Sequence, residues 1–170
     1  MQSNNENNRL SVLYSVGLLD TPIEERFERI TRLLCRVMNV PIAGISIIDS
    51  DREWFKSIQG INITETPRYN SFGNYVLETK DKLVVTDTLS DKRFKDSHLV
   101  ANDPSIIFYA GYPLTILGEA IIGTIFVCDI KARDISTSDI QLLEDFAETT
   151  ASEIKSRLLR DLVNSNNLKA

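Results

Sequence analysis

Residues 106–130 read IIFYAGYPLTILGEAIIGTIFVCDI, and this stretch decides the fold. Two runs rich in β-branched and aromatic residues, 106–116 and 120–130, flank the turn Leu117-Gly118-Glu119. That pattern predicts an antiparallel hairpin. A second hairpin stands earlier, where IAGISII (42–48) leads through Asp49-Ser50-Asp51 into REWFKSIQG (52–60). Asp49 and Asp51 can be read as metal-binding carboxylates. With Ser50 between them and Arg52 following, a tight turn is the better reading. Trp54 and Phe55 are neighbours on a strand and must point to opposite faces. LVVTD (83–87) adds a short strand. Hairpins at both ends of one sheet require antiparallel pairing.

Helical periodicity brackets these strands. Leu10, Leu13 and Tyr14 predict a short helix ending near Gly17. Thr21 as cap, Pro22 and Glu24 then open a helix whose apolar face is Phe27, Ile30, Leu33, Leu34, Val37 and Met38. Pro41 ends it. Near the other end, Ser136 caps a long helix with Asp139 at the reciprocal position. Its stripe includes Ile140, Leu143, Phe146, Ala147, Ala151, Ile154 and Leu158, and continues weakly to Leu162. Residues 1–8, rich in Asn, read as a disordered tail. Residues 9–162 form a single domain, and 163–170 a polar C-terminal tail. The architecture is α+β: terminal helices pack on one face of the sheet. The connections 61–82 and 88–105 cover the other, and both exceed the length of a passive link.

The totals narrow the function. The chain has 170 residues and a net charge of −5, with 42% hydrophobic and 25% charged residues. An acidic protein of this kind carries no electrostatic footprint for nucleic acid or an anionic membrane. No run approaches the length of a membrane span, and the polar start MQSNNENN lacks the apolar core of a signal peptide. Cytoplasmic residence is the expectation. Cys35 falls in a helical pattern and Cys128 in an apolar strand, so both read as small buried hydrophobes rather than a disulfide or zinc framework. His98 has no companions at metal-ligand spacing and reads as a loop residue. Neither a G-x-G-x-x-G nor a Walker sequence occurs.

In sum of its blocks, the chain resembles a GAF domain, of the type found in bacterial histidine kinases and diguanylate cyclases. The resemblance runs from about Arg9 to Leu158. It rests on RLSVLYSVGLLDTPIEERFERIT, PIAGISIID, DREWFKSIQG, the pair Pro67-Arg68 with Ser71-Phe72, LVVTDTLSDKRF, IIFYAGYPL and IIGTIFVCD. It implies a six-stranded antiparallel sheet between a helical face and a ligand-binding face. Relatives often carry a cysteine where Gly73 stands and another where Phe126 stands; Cys128 lies two residues on, on the Phe126 face. The resemblance therefore implies a sensory domain rather than thiol chemistry.

The candidate ligand site is an aromatic wall with a few polar groups, the usual make-up of a small-molecule site. PRYNSFGNYVL (67–77) supplies Phe72 and Tyr75 on a short helix capped by Ser71, whose free N–H groups suit an anion. Arg93 and Phe94 come from the second connection, Asp87 from the strand before it, and Tyr109, Tyr112 and Phe126 from the hairpin. Arg68 and Arg93 serve either an anionic ligand or, as the better reading, clasps with Asp87 or Asp91. The leading functional expectation is a non-enzymatic sensor that binds a small molecule and signals as a homodimer through its terminal helices. Its output is a further domain or a partner protein. Two alternatives stand beside it: a dimerising scaffold whose cavity is filled, and a thiol-dependent free methionine sulfoxide reductase. The sequence names no cofactor.

Overall fold

The hairpin at 106–130 forms as β5 (Phe108–Ile116) and β6 (Ala120–Asp129), with Phe108 opposite Asp129 and Ile116 opposite Ala120. At its turn Leu117 and Gly118 both take positive φ, 41° and 88°, as the twist of a tight hairpin demands. In the computed structural model, which describes residues 2–168, β6 also pairs with β1 (Ile42–Ile48). β1 pairs in turn with β2 (Arg52–Gln59), and β2 with β3 (Glu65–Pro67). β4 (Leu83–Val85) closes the far edge. The result is a six-stranded antiparallel sheet of order β3-β2-β1-β6-β5-β4.

One face is covered by α1 (Gln2–Val16), α2 (Glu25–Met38) and α5 (Thr137–Asn167). Leu13, Phe27, Leu34, Ile45, Leu143 and Ile154 are buried together there. Phe146 is only half-buried at the margin of this core. The other face carries α3 (Phe72–Thr79), a 3-10 turn at Thr88–Ser90 and the single turn α4 (His98–Ala101). Alternation assigns the flanking aromatics: Trp54 joins the helix-side core and Phe55 the opposite one.

Three local readings change. Residues 2–8, expected as a disordered tail, belong to α1, because Glu6 is held by Arg9 at 2.8 Å and by Arg68 at 2.6 Å. Arg68 is thus a clasp, but onto α1 rather than onto Asp87 or Asp91. Residues 163–167, expected as a polar tail, continue α5 as helix. The calls on Met1 and on 169–170 lie outside the described residues. α2 starts at Glu25, later than the Thr21 cap predicts, because Thr21 and Glu24 are engaged elsewhere. The Ser136–Asp139 capping box forms as expected.

That engagement begins at a β-bulge. Ile45 faces Ser57 while Ser46 faces Phe55, so Lys56 is the extra residue and turns with Ser57 to the helix side. Ser57 meets the Thr31 hydroxyl at 2.7 Å. The fully buried Lys56 ammonium donates to Thr21 Oγ1 at 2.7 Å and to the Pro22 carbonyl at 2.6 Å, and lies 2.8 Å from Glu24. Glu24 also accepts from Arg157 of α5 at 2.9 Å, and Arg157 donates to the carbonyls of Val16 and Gly17. One carboxylate thus ties the middle of β2 to α5.

Candidate functional site

On the face away from the terminal helices, strand alternation brings Glu53 and Phe55 of β2, Tyr109 of β5, and Thr124 and Phe126 of β6 to one side. α3 lies over them. Its start is local chemistry: Ser71 Oγ accepts from the Asn74 N–H at 3.1 Å, satisfying a free donor of the first turn. Phe72 and Val76, four apart, then point down onto the sheet and are buried.

The rings form a continuous stack. Phe72 lies 4.3 Å from Tyr109 at an interplanar angle of 10°, and 4.7 Å from Phe94. Tyr109 lies 5.5 Å from Phe126 at 19°, and Phe55 meets Phe126 edge-on at 5.9 Å. Two glycines let the rings lie flat. A methyl group on Gly44 would collide with the Phe126 ring, and one on Gly111 with the Tyr109 phenol. The rings therefore occupy the hollow that the glycines make. A cleft of about 100 Å³ lies apart, lined by Ile61, Ile63, Leu99 and Pro104 with His98 and Asp103 at its rim.

Six of the eight expected residues gather here: Phe72, Tyr75, Arg93, Phe94, Tyr109 and Phe126. Tyr75 and Arg93 form the rim, where Arg93 donates to the Tyr75 hydroxyl at 2.8 Å and stacks 4.8 Å from its ring. The Asp91 carboxylate clasps Arg93 at 2.6 Å, as expected, and Arg93 in turn holds that carboxyl below its ordinary range. Asp87 and Tyr112 do not belong to the site. Asp87 spends its carboxylate capping the turn at Leu89 N–H (2.9 Å) and Ser90. Tyr112 is three residues from Tyr109 and so faces the helices, donating to Glu144 at 2.8 Å. Burial, reinforced by that bond, pushes its phenol up to about 12.

The residue that sequence reasoning missed is Glu53. It is 2% exposed, beneath the first turn of α3, where a methyl on Gly73 would strike it. Burial raises its carboxyl pKa, against hydrogen bonds from the Ser46 and Ser71 hydroxyls and the Gly73 N–H. None of these neighbours is cationic. The anion position expected at the head of α3 is thus filled by the chain itself. The signal was present: Phe55 faces this side, so Glu53, two residues earlier, must do so as well.

Tyr109 adds a second oddity. Its hydroxyl is fully buried and makes no hydrogen bond. Burial raises its pKa well above the ordinary value, and the nearby Glu53 adds to the shift. Among thiols, Cys128 is buried in the same core and Cys35 is half-buried on α2, and burial raises the pKa of both. Among the described residues no three His, Cys, Asp or Glu side chains are grouped to hold a metal ion, and no helix is long and apolar enough to cross a membrane.

A GAF domain family model matches residues 22–154. A cyclic di-GMP phosphodiesterase of Pseudomonas aeruginosa is 35% identical over 150 residues, which cover 88% of this chain but only 26% of that protein. Among solved structures, a type II free methionine-R-sulfoxide reductase from Thermoplasma acidophilum superposes with a TM-score of 0.66 at 15% identity, covering 78% of this chain and 92% of that one. A GAF domain of an Acinetobacter phosphoenolpyruvate-protein phosphotransferase gives 0.61 at 14% identity, covering 93% and 97%. At these identities the superpositions show the fold alone.

Proposed function

The chain belongs to the GAF domain family, and from that premise we propose that it is the non-catalytic regulatory domain of a bacterial signalling protein, paired with a second copy through α5. The observation that carries this reading is the course of α5 beyond Arg157. Every described residue from Leu159 to Leu168 is exposed. Leu159, Leu162 and Val163 are 63%, 54% and 58% exposed, at spacings of three and four that place them on one helical face. A second α5 supplies the same stripe and covers the first symmetrically. The similarity to a cyclic di-GMP phosphodiesterase supports a place in a protein of that signalling class, where the paired helices act on the output portion.

The raised thiols support the non-catalytic reading, because a nucleophilic cysteine needs its thiolate favoured. Light scattering tests the pairing. The full chain is expected at twice its monomer mass, and a chain shortened after Ser156 at the monomer mass. An unchanged dimer after shortening moves the interface elsewhere, and a full chain that stays monomeric at high concentration ends the proposal. Turnover of free methionine sulfoxide with a reductant, lost in Cys128→Ser, would overturn the non-catalytic assignment.

A further inference from the structure

The apolar face of α2 is wider than the sheet covers. Leu33 and Val37, assigned to that face by their spacing, are 44% and 56% exposed. Arg29 and Arg36 are exposed beside them, at the separations of three and four that build one helical stripe. The helix is also basic, with four arginines against two glutamates, and its Glu25 is already paired with Arg29 and Arg32. Its neighbour α5 is the reverse. Residues 137–154 hold Asp139, Glu144, Asp145, Glu148 and Glu153 with no Lys or Arg. Asp145 and Glu148 are exposed beside Thr149 and Ser152. Among the described residues neither they nor Arg36 enter the ion pairs that α2 and α5 make.

The two helices lie side by side and run in opposite directions. Arg26, near the start of α2, meets Glu153 at 3.2 Å, whereas Met38 and Asn39, at its end, accept from Arg133 just before α5. Counted from the Arg26–Glu153 contact at about 1.5 Å per residue, Arg29 stands within about 3 Å of the level of Glu148, and Arg36 within about 3 Å of that of Asp145. A basic, partly apolar ridge thus runs next to an acidic one, with the charges in step. We propose that the stripe Arg29-Leu33-Arg36-Val37 of α2 docks on the acidic stretch of α5 in a second copy of the chain, so that the two α5 helices run parallel. The proposal rests on the pairing of copies through α5, and adds the surface that fixes their direction.

Two symmetric pairings keep the helices alongside one another. A two-fold axis across the helices lays like on like, and sets Asp145 and Glu148 against their own copies. An axis along the helices lays each α2 over the other copy's α5, so that Arg29 faces Glu148 and Arg36 faces Asp145, twice over. Like charges juxtaposed across an interface are costly and opposite ones fix its register, so charge selects the second. Leu33 and Val37 lose their exposure in the same step, against the short Thr149 and Ser152. Both α5 tips then leave at one end, where Leu159, Leu162 and Val163 meet their own copies. The other axis points the tips apart.

Charge exchange tests this on the full chain, read by sedimentation over a concentration series and by native mass spectrometry of mixtures. One variant carries Arg29→Glu with Arg36→Glu, a second Asp145→Arg with Glu148→Arg, and a third all four changes. Each double variant is expected to self-associate more weakly by about tenfold or more, because like charges then face each other. The fourfold variant, and an equal mixture of the two doubles, should return to within about threefold of the wild type, because every facing pair is again opposite. The fourfold variant should also refuse the wild type as partner. Doubles as strong as the wild type overturn the proposal and leave the α5 pairing standing. A folded fourfold variant as weak as the doubles overturns it as well, since the exchanged charges do not meet. One that prefers the wild type to itself marks like helix on like and ends the parallel course. A dimer that survives shortening after Ser156 but yields to either double does the reverse, keeping this surface and removing the tip pairing. A wild type that is monomeric at high concentration removes both.

Discussion

The two faces of the sheet are both buried, but by different means. On the helix side, aliphatic side chains from α1, α2 and α5 interlock with Ile45, Ile47 and Ile125 around a few aromatics. On the ring side, Phe72, Tyr109 and Phe126 are stacked above glycines, with a buried carboxyl and an unbonded hydroxyl among them. The first arrangement suits permanence, because its aliphatic atoms are better off dry and its buried Lys56, Ser57 and Thr31 are paired. The second keeps polar groups dry at a cost, and such local compromises collect where proteins bind things. The contrast teaches that burial alone does not separate a core from a site. What separates them is whether the buried groups are satisfied.

The largest test falls on the helix side. Leu34 is fully buried against the sheet, and Leu34→Ala is expected to cost about 2–5 kcal/mol in urea denaturation, from lost burial plus the cavity left behind. A loss under about 1 kcal/mol would show that this face is as yielding as the other, and the contrast would fail. Next comes Gly44→Ala, which puts a methyl where the Phe126 ring lies. Overpacking of this kind costs about 1–3 kcal/mol. A neutral result would show that the ring side has slack and sharpen the view that its rings can move.

The smallest expected effect is the most specific. Glu53 has a raised carboxyl pKa in the folded chain, so its contribution to stability is fully present below the ordinary carboxyl range. That contribution is lost as pH rises through the raised value, because the unfolded chain ionises freely and the folded one does not. Glu53→Gln keeps a neutral hydrogen-bonding group of the same shape. Its melting temperature should match the wild type in acid and exceed it progressively as pH rises. Parallel curves across the whole range would mean that Glu53 is not held dry.

Much of this was legible in the chain. The hairpin at 106–130 declares itself by composition and a glycine turn, and Ser71 and Ser136 announce their helices by capping chemistry that acts within four residues. Those signals are local, so sequence carries them intact. Tyr112 was misplaced for a reason also visible in sequence: an odd separation from Tyr109 sends the two rings to opposite faces. Other features were beyond local reading. Residues 2–8 look disordered by composition; Arg9 holds Glu6 from three residues away, but the second grip, by Arg68, comes from a distant part of the chain. The bulge at Lys56 depends on the register of two strands, and no pattern within β2 signals it.

The bulge has a mechanical consequence for the last helix. Because Lys56 grips Glu24 and Glu24 grips Arg157, that arginine is the final clamp before α5 leaves the body of the domain. Beyond it, residues 158–167 form a cantilever roughly 15 Å long at about 1.5 Å per residue. A tilt of about 4° at the clamp carries the helix at residue 167 about 1 Å. The root of this lever is fastened to the residue after Phe55, whose ring bears on the aromatic stack.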